Sequence, residues 1–211
     1  MPQLLNITKK LVKIHNPLDF GKIENCLKSD DFPYKKIDAI NLLAVGRLTY
    51  QKGFDLLIDA VALLDSRFYL TILGEGDQRM ILEERVHEKK LTNRVFFEGF
   101  VENPYQYMAK ADLFVLSSRY EGLPNVLLEV MFCGVPVVAF NCPGGIDEII
   151  IPNVNGFIAP NGSINELAGY ISLAAETNFD KEKIKDSVKQ KFNYEDRVRD
   201  YERLFYKLVS I

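Results

Sequence analysis

The sequence has no apolar run approaching the roughly 20 residues that a membrane-spanning helix needs. Its N-terminus holds no signal-peptide core either, because Asn6, Lys9, Lys10 and Lys13 interrupt the apolar residues there. The expectation is a cytoplasmic chain. Cysteine is scarce: Cys26, Cys133 and Cys142 are odd in number and in no metal-ligand spacing, which argues against a disulfide framework or a zinc site and suits reduced thiols. Cys133 reads as a core residue on an apolar helix face. Of the two histidines, His15 lies near the start and His87 in a charged helical segment, and neither is placed for acid–base work. A strong charge of either sign is also missing. With a net charge of −3 and a pI near 5.5, the chain has no general basic surface and nucleic acid is not an expected partner. The one lysine cluster, Lys181, Lys183, Lys185 and Lys189, is interleaved with Glu182 and Asp186 and reads as a solvated helix face. No internal repeat, low-complexity segment or Asp-x-Asp motif occurs.

What is present is enough apolar material, 47% of 211 residues, to fill the core of one or two domains. Apolar runs at about 42–45, 68–73, 94–97, 113–116 and 136–140, with a short one at 156–159, read as strands. Helical patterns at about 54–64, 77–90, 103–110 and 125–133 lie between them. Strand and helix alternating in this way predict an α/β fold, a doubly wound parallel sheet covered on both faces. Ligands of such sheets bind beyond the carboxyl ends of the strands. Two further helices are expected near 180–190 and 195–209, the last with Val198, Tyr201, Leu204, Phe205 and Leu208 on one face.

The loops after these strands carry charge. Gly46-Arg47 and Lys52-Gly53 join the first strand to a helix, so a planar fork, a point charge and free helix N–H groups converge as an anion would need. Glu121 and Glu129 stand eight residues apart after the fourth strand. In a helix that is roughly 12 Å and little more than two turns, which would put both carboxylates in one cleft at different depths. Each pair taken alone also reads as ordinary solvated charge.

Six motifs in order decide between these readings. Gly46-Arg47 with Lys52-Gly53, Leu73-Gly74-Glu75-Gly76, Phe97-Glu98-Gly99-Phe100-Val101, Ser117 to Glu129, Cys133-Gly134-Val135-Pro136-Val137-Val138 and Gly144-Gly145-Ile146-Asp147-Glu148 resemble the nucleotide-sugar-binding half of the retaining glycosyltransferases of family 4. That family has the GT-B fold, two Rossmann-like domains facing across a cleft.

The resemblance implies roles. Arg47 and Lys52 would hold the donor diphosphate and stabilise it as a leaving group, Glu121 would contact the transferred sugar and, with these two cations, form the catalytic set, and Glu129 would accept from the ribose hydroxyls. Gly74, Phe100 and Val101 would line the base pocket, and Leu123, Pro124, Asn125 and Val126 would bring a helix N-terminus to the sugar and phosphates, with Pro124 in its first turn. The donor would be a UDP-linked hexose or N-acetylhexosamine, and no metal is expected, since cations and helix N–H groups supply what magnesium would. Residues 1–20 resemble an interdomain linker or the tail of a missing N-terminal domain, 21–190 the donor-binding domain and 191–211 a C-terminal helix. The expectation is therefore the C-terminal half of a larger enzyme of bacterial surface-polysaccharide assembly, whose preceding domain takes a glycan or lipid-linked acceptor. That acceptor would sit at the inner face of the cytoplasmic membrane, with peripheral association of the full enzyme. The alternatives are a nucleotide-sugar-binding module without turnover and a UDP-sugar epimerase, whose histidine-rich site is not seen.

Overall fold

A computed structural model describes residues 12, 14, 16–27, 33–36 and 38–209. Most of the expected linker, including Asn6, Lys9, Lys10, Lys13 and His15, lies outside the described residues. Among the described residues, six strands form one sheet: β1 (Ile40–Val45), β2 (Phe68–Leu73), β3 (Val95–Gly99), β4 (Leu113–Leu116), β5 (Val137–Phe140) and β6 (Gly156–Ala159). All neighbours pair in parallel, in the order β3-β2-β1-β4-β5-β6. That is the order of Rossmann folds, with the chain reversing direction across the sheet between β1 and β4.

The strands are apolar throughout because both sheet faces are covered. Leu42 and Ala44 of β1, Leu113 and Val115 of β4, and Val138 and Phe140 of β5 join one buried cluster; Leu43, Phe114, Leu116, Val137 and Ala139 join the other. The alternation is the two-residue period of the pleat. Helices α2 (Phe54–Leu63), α3 (Arg79–Glu88) and α7 (Ile164–Glu176) cover the first face. Helices α1 (Phe20–Cys26), α4 (Tyr105–Lys110), α5 (Asn125–Phe132), α6 (Ile146–Ile149) and α8 (Lys181–Phe192) cover the second. Asp180 caps α8 by accepting from the N–H groups of Glu182 and Lys183, and Ile184, Val188 and Phe192 bury its apolar side.

Three features depart from the sequence-based expectation. Helix α7 was not anticipated, although Leu167, Ala168, Ile171 and Ala174 recur at helical spacing and are buried; small alanines and Gly169 dilute the apolar contrast that marks an amphipathic stripe. The short helices α1 and α6 are too brief for periodicity to register. Cys133, the C-cap of α5, is half-buried at the margin of the core instead of inside it, whereas Cys142 is the buried thiol.

Helix α9 (Tyr194–Val209) buries no residue. Phe205 and Leu208 of its expected stripe are 62% and 60% exposed, whereas Val198 and Leu204 are half-buried, so the stripe is only partly covered among the described residues. Ile171 by contrast is fully buried between α7 and the sheet. Ile171→Ala should lower unfolding stability by about 2–5 kcal/mol. Urea titration reads this directly, and a loss under about 0.5 kcal/mol would show that α7 is not part of the core.

Candidate functional site

The loops leaving the carboxyl ends of β1, β2 and β3 are sewn together by their backbones. Gly46 N–H donates to Leu73 O at 3.0 Å, Gly74 N–H to Gly99 O at 2.7 Å and Leu48 N–H to Glu75 O at 2.9 Å. Gly74 has φ +135°, and a Cβ there would stand 2.0 Å from Gly46 O, so only glycine allows this approach. The result is a cavity of about 330 Å³ walled by Val45, Leu73, Val101 and Pro104, with Gly46, Gly74, Arg47 and Phe100 also lining it. Arg47 is exposed and Phe100 is 81% exposed. A second cavity of about 290 Å³ lies at the opposite edge, where Ile40, Leu113 and Pro136 sit at the amino ends of β1, β4 and β5. It contains none of the expected site residues, and the carboxyl edge is where parallel sheets of this order bind ligands.

Lys52 connects the first cavity to Glu121. It ends a 3-10 turn, Tyr50–Lys52, and its Cε lies 3.3 Å from where a Cβ on cavity-lining Gly46 would be. Its Nζ donates to Glu121 Oε1 at 2.7 Å, and Ser118 Oγ donates to the same oxygen at 2.6 Å. The side chains of Lys52 and Glu121 are only 20% and 7% exposed. In that setting a charge left without its partner is costly. Glu121 Oε2 accepts no hydrogen bond from the described residues.

Glu121 itself lies in the loop before α5, not on the helix. Helix α5 starts at Asn125 with Pro124 as its N-cap. The expected two turns between the glutamates are therefore one loop and about one turn, and Pro124 precedes the first turn instead of occupying it. Leu127 N–H returns to Pro124 O, and the N–H groups of Asn125 and Val126 meet no acceptor among the described residues. The exposed Asn125 accepts from Asn16 Nδ2 at 3.4 Å. Glu129, one turn on, is half-buried and accepts no hydrogen bond from the described residues. Burial pushes its carboxyl above the ordinary glutamate value, with Lys22 opposing. Its charge acts on two neighbours: Tyr105, which follows cavity-lining Pro104, and Cys133 are each pushed up to about 12, by burial first and Glu129 second.

The structure thus brings Arg47, Gly74, Phe100 and Val101 around one cavity and Lys52 and Glu121 into contact beside it, with Leu123 to Glu129 forming the next loop and helix. It also shows residues that the sequence did not single out for the site: Ser118 on Glu121, and Asp55, Tyr50 and Gln51 around Arg119. Only the position of Ser118 and Arg119 inside a quoted motif hinted at them.

The sheet is Rossmann-like, with cations and carboxylates gathered at its switch point. Residues 30–191 match the glycosyl transferases group 1, and the chain belongs to that family. The N-acetylgalactosamine-N,N'-diacetylbacillosaminyl-diphospho-undecaprenol 4-alpha-N-acetylgalactosaminyltransferase of Campylobacter jejuni is 32% identical over 191 residues, 90% of this chain and 51% of that protein. The poly(ribitol-phosphate) alpha-N-acetylglucosaminyltransferase of Staphylococcus aureus is 29% identical, over 89% of this chain and 38% of that one. HepE of Anabaena in complex with UDP-glucose superposes with a TM-score of 0.76 at 26% identity, covering 94% of this chain and 57% of HepE. The chain spans about half the length, or less, of the curated relatives it matches. Among the described residues no helix is long and apolar enough to cross a membrane.

The raised carboxyl of Glu129 makes stability pH-dependent. A carboxyl that binds its proton more tightly in the folded chain contributes stability that is complete below its unfolded value and lost as pH rises through its folded value. Glu129→Gln should therefore raise the thermal midpoint at pH 7, with the gain vanishing below the ordinary glutamate value of 4.5. A midpoint unchanged or lowered at pH 7 would mean that Glu129 gains a partner when ionised.

Proposed function

We propose that this chain is the donor-binding lobe of a retaining glycosyltransferase that takes a UDP-linked hexose or N-acetylhexosamine without a metal ion. The observation that carries this reading is the continuous line from the cavity, across Gly46 along the Lys52 stem, to Glu121. Its order matches the parts of the donor: nucleoside in the cavity, diphosphate at Arg47 and Lys52, sugar at Glu121. HepE, which resembles this chain over most of its length, was solved with UDP-glucose.

The chemistry follows from charge. Breaking the bond between sugar and diphosphate builds negative charge on the leaving group, and fixed cations there favour the transition state over the ground state. Lysine carries three donors, so Lys52 can keep Glu121 and still reach a phosphate oxygen. Arg47 adds a planar fork and α5 the N–H groups of Asn125 and Val126. Glu121, fixed through one oxygen, has the other available for a sugar hydroxyl. Glu129 accepts no hydrogen bond from the described residues, and ribose hydroxyls would supply donors to its partly buried carboxylate. The acceptor half of the reaction belongs to the full-length protein, with a glycan or lipid-linked acceptor at the membrane's inner face and a place in surface-polysaccharide assembly. The names of the Campylobacter and Staphylococcus relatives, which act on a diphospho-undecaprenol and on poly(ribitol-phosphate), support the glycan or lipid-linked acceptor.

Calorimetric titration of the chain with UDP and UDP-sugars tests the donor reading. Arg47→Ala and Lys52→Ala should each weaken UDP by about 1.5–3 kcal/mol, the range for a charge-assisted hydrogen bond; unchanged affinity in both variants moves the site elsewhere. Glu129→Gln should weaken UDP while stabilising the free chain, a combination that loss of a merely structural carboxylate would not produce. For the full-length enzyme, transfer should retain the anomeric configuration and survive EDTA. Inactivation by EDTA, reversed by a divalent ion, would overturn the metal-free mechanism.

A further inference from the structure

Arg119 lies beside the donor line without belonging to it. Its guanidinium grips Asp55, on the first turn of α2, through two bonds of 2.8 and 2.7 Å. The same group donates to Tyr50 O at 2.7 Å and covers the Tyr50 ring with its centre 3.8 Å from the centroid. The backbones are pinned as well. Arg119 N–H donates to Gln51 O at 2.8 Å, Gln51 Nε2 donates to Tyr120 O at 3.0 Å, and Ser117 Oγ donates to Lys52 O at 3.0 Å.

Apart from the grip on Asp55, which holds the start of α2 just after the turn, these bonds join the same two segments, the 3-10 turn that ends in Lys52 and the loop that leads to Glu121. Gly53, at φ +64°, closes the seam: a Cβ there would stand 2.1 Å from Ser117 O. The two segments leave the sheet from β1 and β4, on either side of the switch point. Nothing in the strand pairing sets how closely their tips approach. A rigid fork that matches a carboxylate in plane fixes direction as well as distance, which a single point charge cannot do.

We propose that Arg119 is a positioning residue: its grip on Asp55 and Tyr50 holds the Lys52 turn against the Glu121 loop and sets the contact between those two side chains. In this role it acts through Lys52 and Glu121 and not on the donor itself. The proposal rests on the donor reading only in its functional consequence, because the contact it sets is present in the free chain.

The test uses the whole chain and two independent readouts. In Arg119→Met, which keeps an apolar stem by Tyr50 and loses the fork, the Lys52 ammonium should exchange its protons with water several-fold faster by side-chain nitrogen-15 NMR. The Lys185–Glu182 pair on α8, 2.7 Å apart, is the internal control and should not change. UDP affinity should fall about tenfold, whereas the same substitution in a Lys52→Met chain should change it by less than about twofold, the signature of coupled sites. Equal losses in both backgrounds, with Lys52 exchange unchanged, would show that Arg119 only stabilises the fold and would overturn the proposal. If Arg119→Met does not fold, Asp55→Asn removes the charge under the fork with little change of shape and carries the same two readouts. If the unsubstituted chain binds neither UDP nor UDP-glucose, the donor reading fails and the exchange rate of Lys52 alone decides the positioning role.

Discussion

The contact of Lys52 Nζ with Glu121 Oε1, 2.7 Å long and largely shielded from water, is the interaction around which the candidate site is arranged. Exposed ion pairs of this kind contribute little to stability. Burying one costs desolvation that its Coulomb attraction does not readily repay, so its presence here is weak evidence of a stability role. Its arrangement points instead to placement. The pair spans the gap between β1 and β4, the one place in the sheet where neighbouring crossovers lead away in opposite directions and leave a crevice at the carboxyl edge. Lysine reaches across from one side, glutamate and Ser118 meet it from the other, and the Gly46 backbone under the lysine stem borders the cavity.

The rest of the fold serves that crevice by being rigid. Two buried clusters, one on each face of the sheet, hold the strands so that their carboxyl ends form an edge, and the loops there are fixed by backbone hydrogen bonds and by glycines that allow close approach. Helix α9 contributes nothing to either cluster. Burial, and with it most of the stabilisation, is concentrated between α1 and α8. Beside the site stands a departure from ordinary core chemistry: a half-buried Glu129 with a raised carboxyl, and near it Tyr105 and Cys133, made harder to ionise first by burial and then by its charge. Perturbed carboxyls beside a cleft are a feature of functional sites.

Much of this was legible in the residues. All six strands were readable, because a parallel strand buried on both faces is a continuous apolar run, as in Leu113–Leu116. Helices α2 and α5 announced themselves by periodicity; Arg47, Lys52 and Glu121 lie in loops after strands and Glu129 on the helix that follows, and the family resemblance singled them out from ordinary surface charge. Helix α7 was missed because its buried side includes Ala168 and Ala174, residues that read as helix formers on any face. The clamp around Arg119 was invisible for a different reason. Asp55 and Arg119 are 64 residues apart, and only the sheet order, which puts β1 beside β4, brings them together. Spacing along a chain reveals partners within one element, whereas partners across a switch point need the topology.

Mapping UDP onto the chain by amide chemical shifts tests the central claim most directly. The account predicts that UDP perturbs the amides of Gly46 to Gly53, Gly74, Val101 and Val126, at the carboxyl edge, and leaves those of Asp112, Thr177 and Lys181 at the opposite cavity in place. Perturbation confined to the opposite edge, or none at saturating UDP, would contradict it.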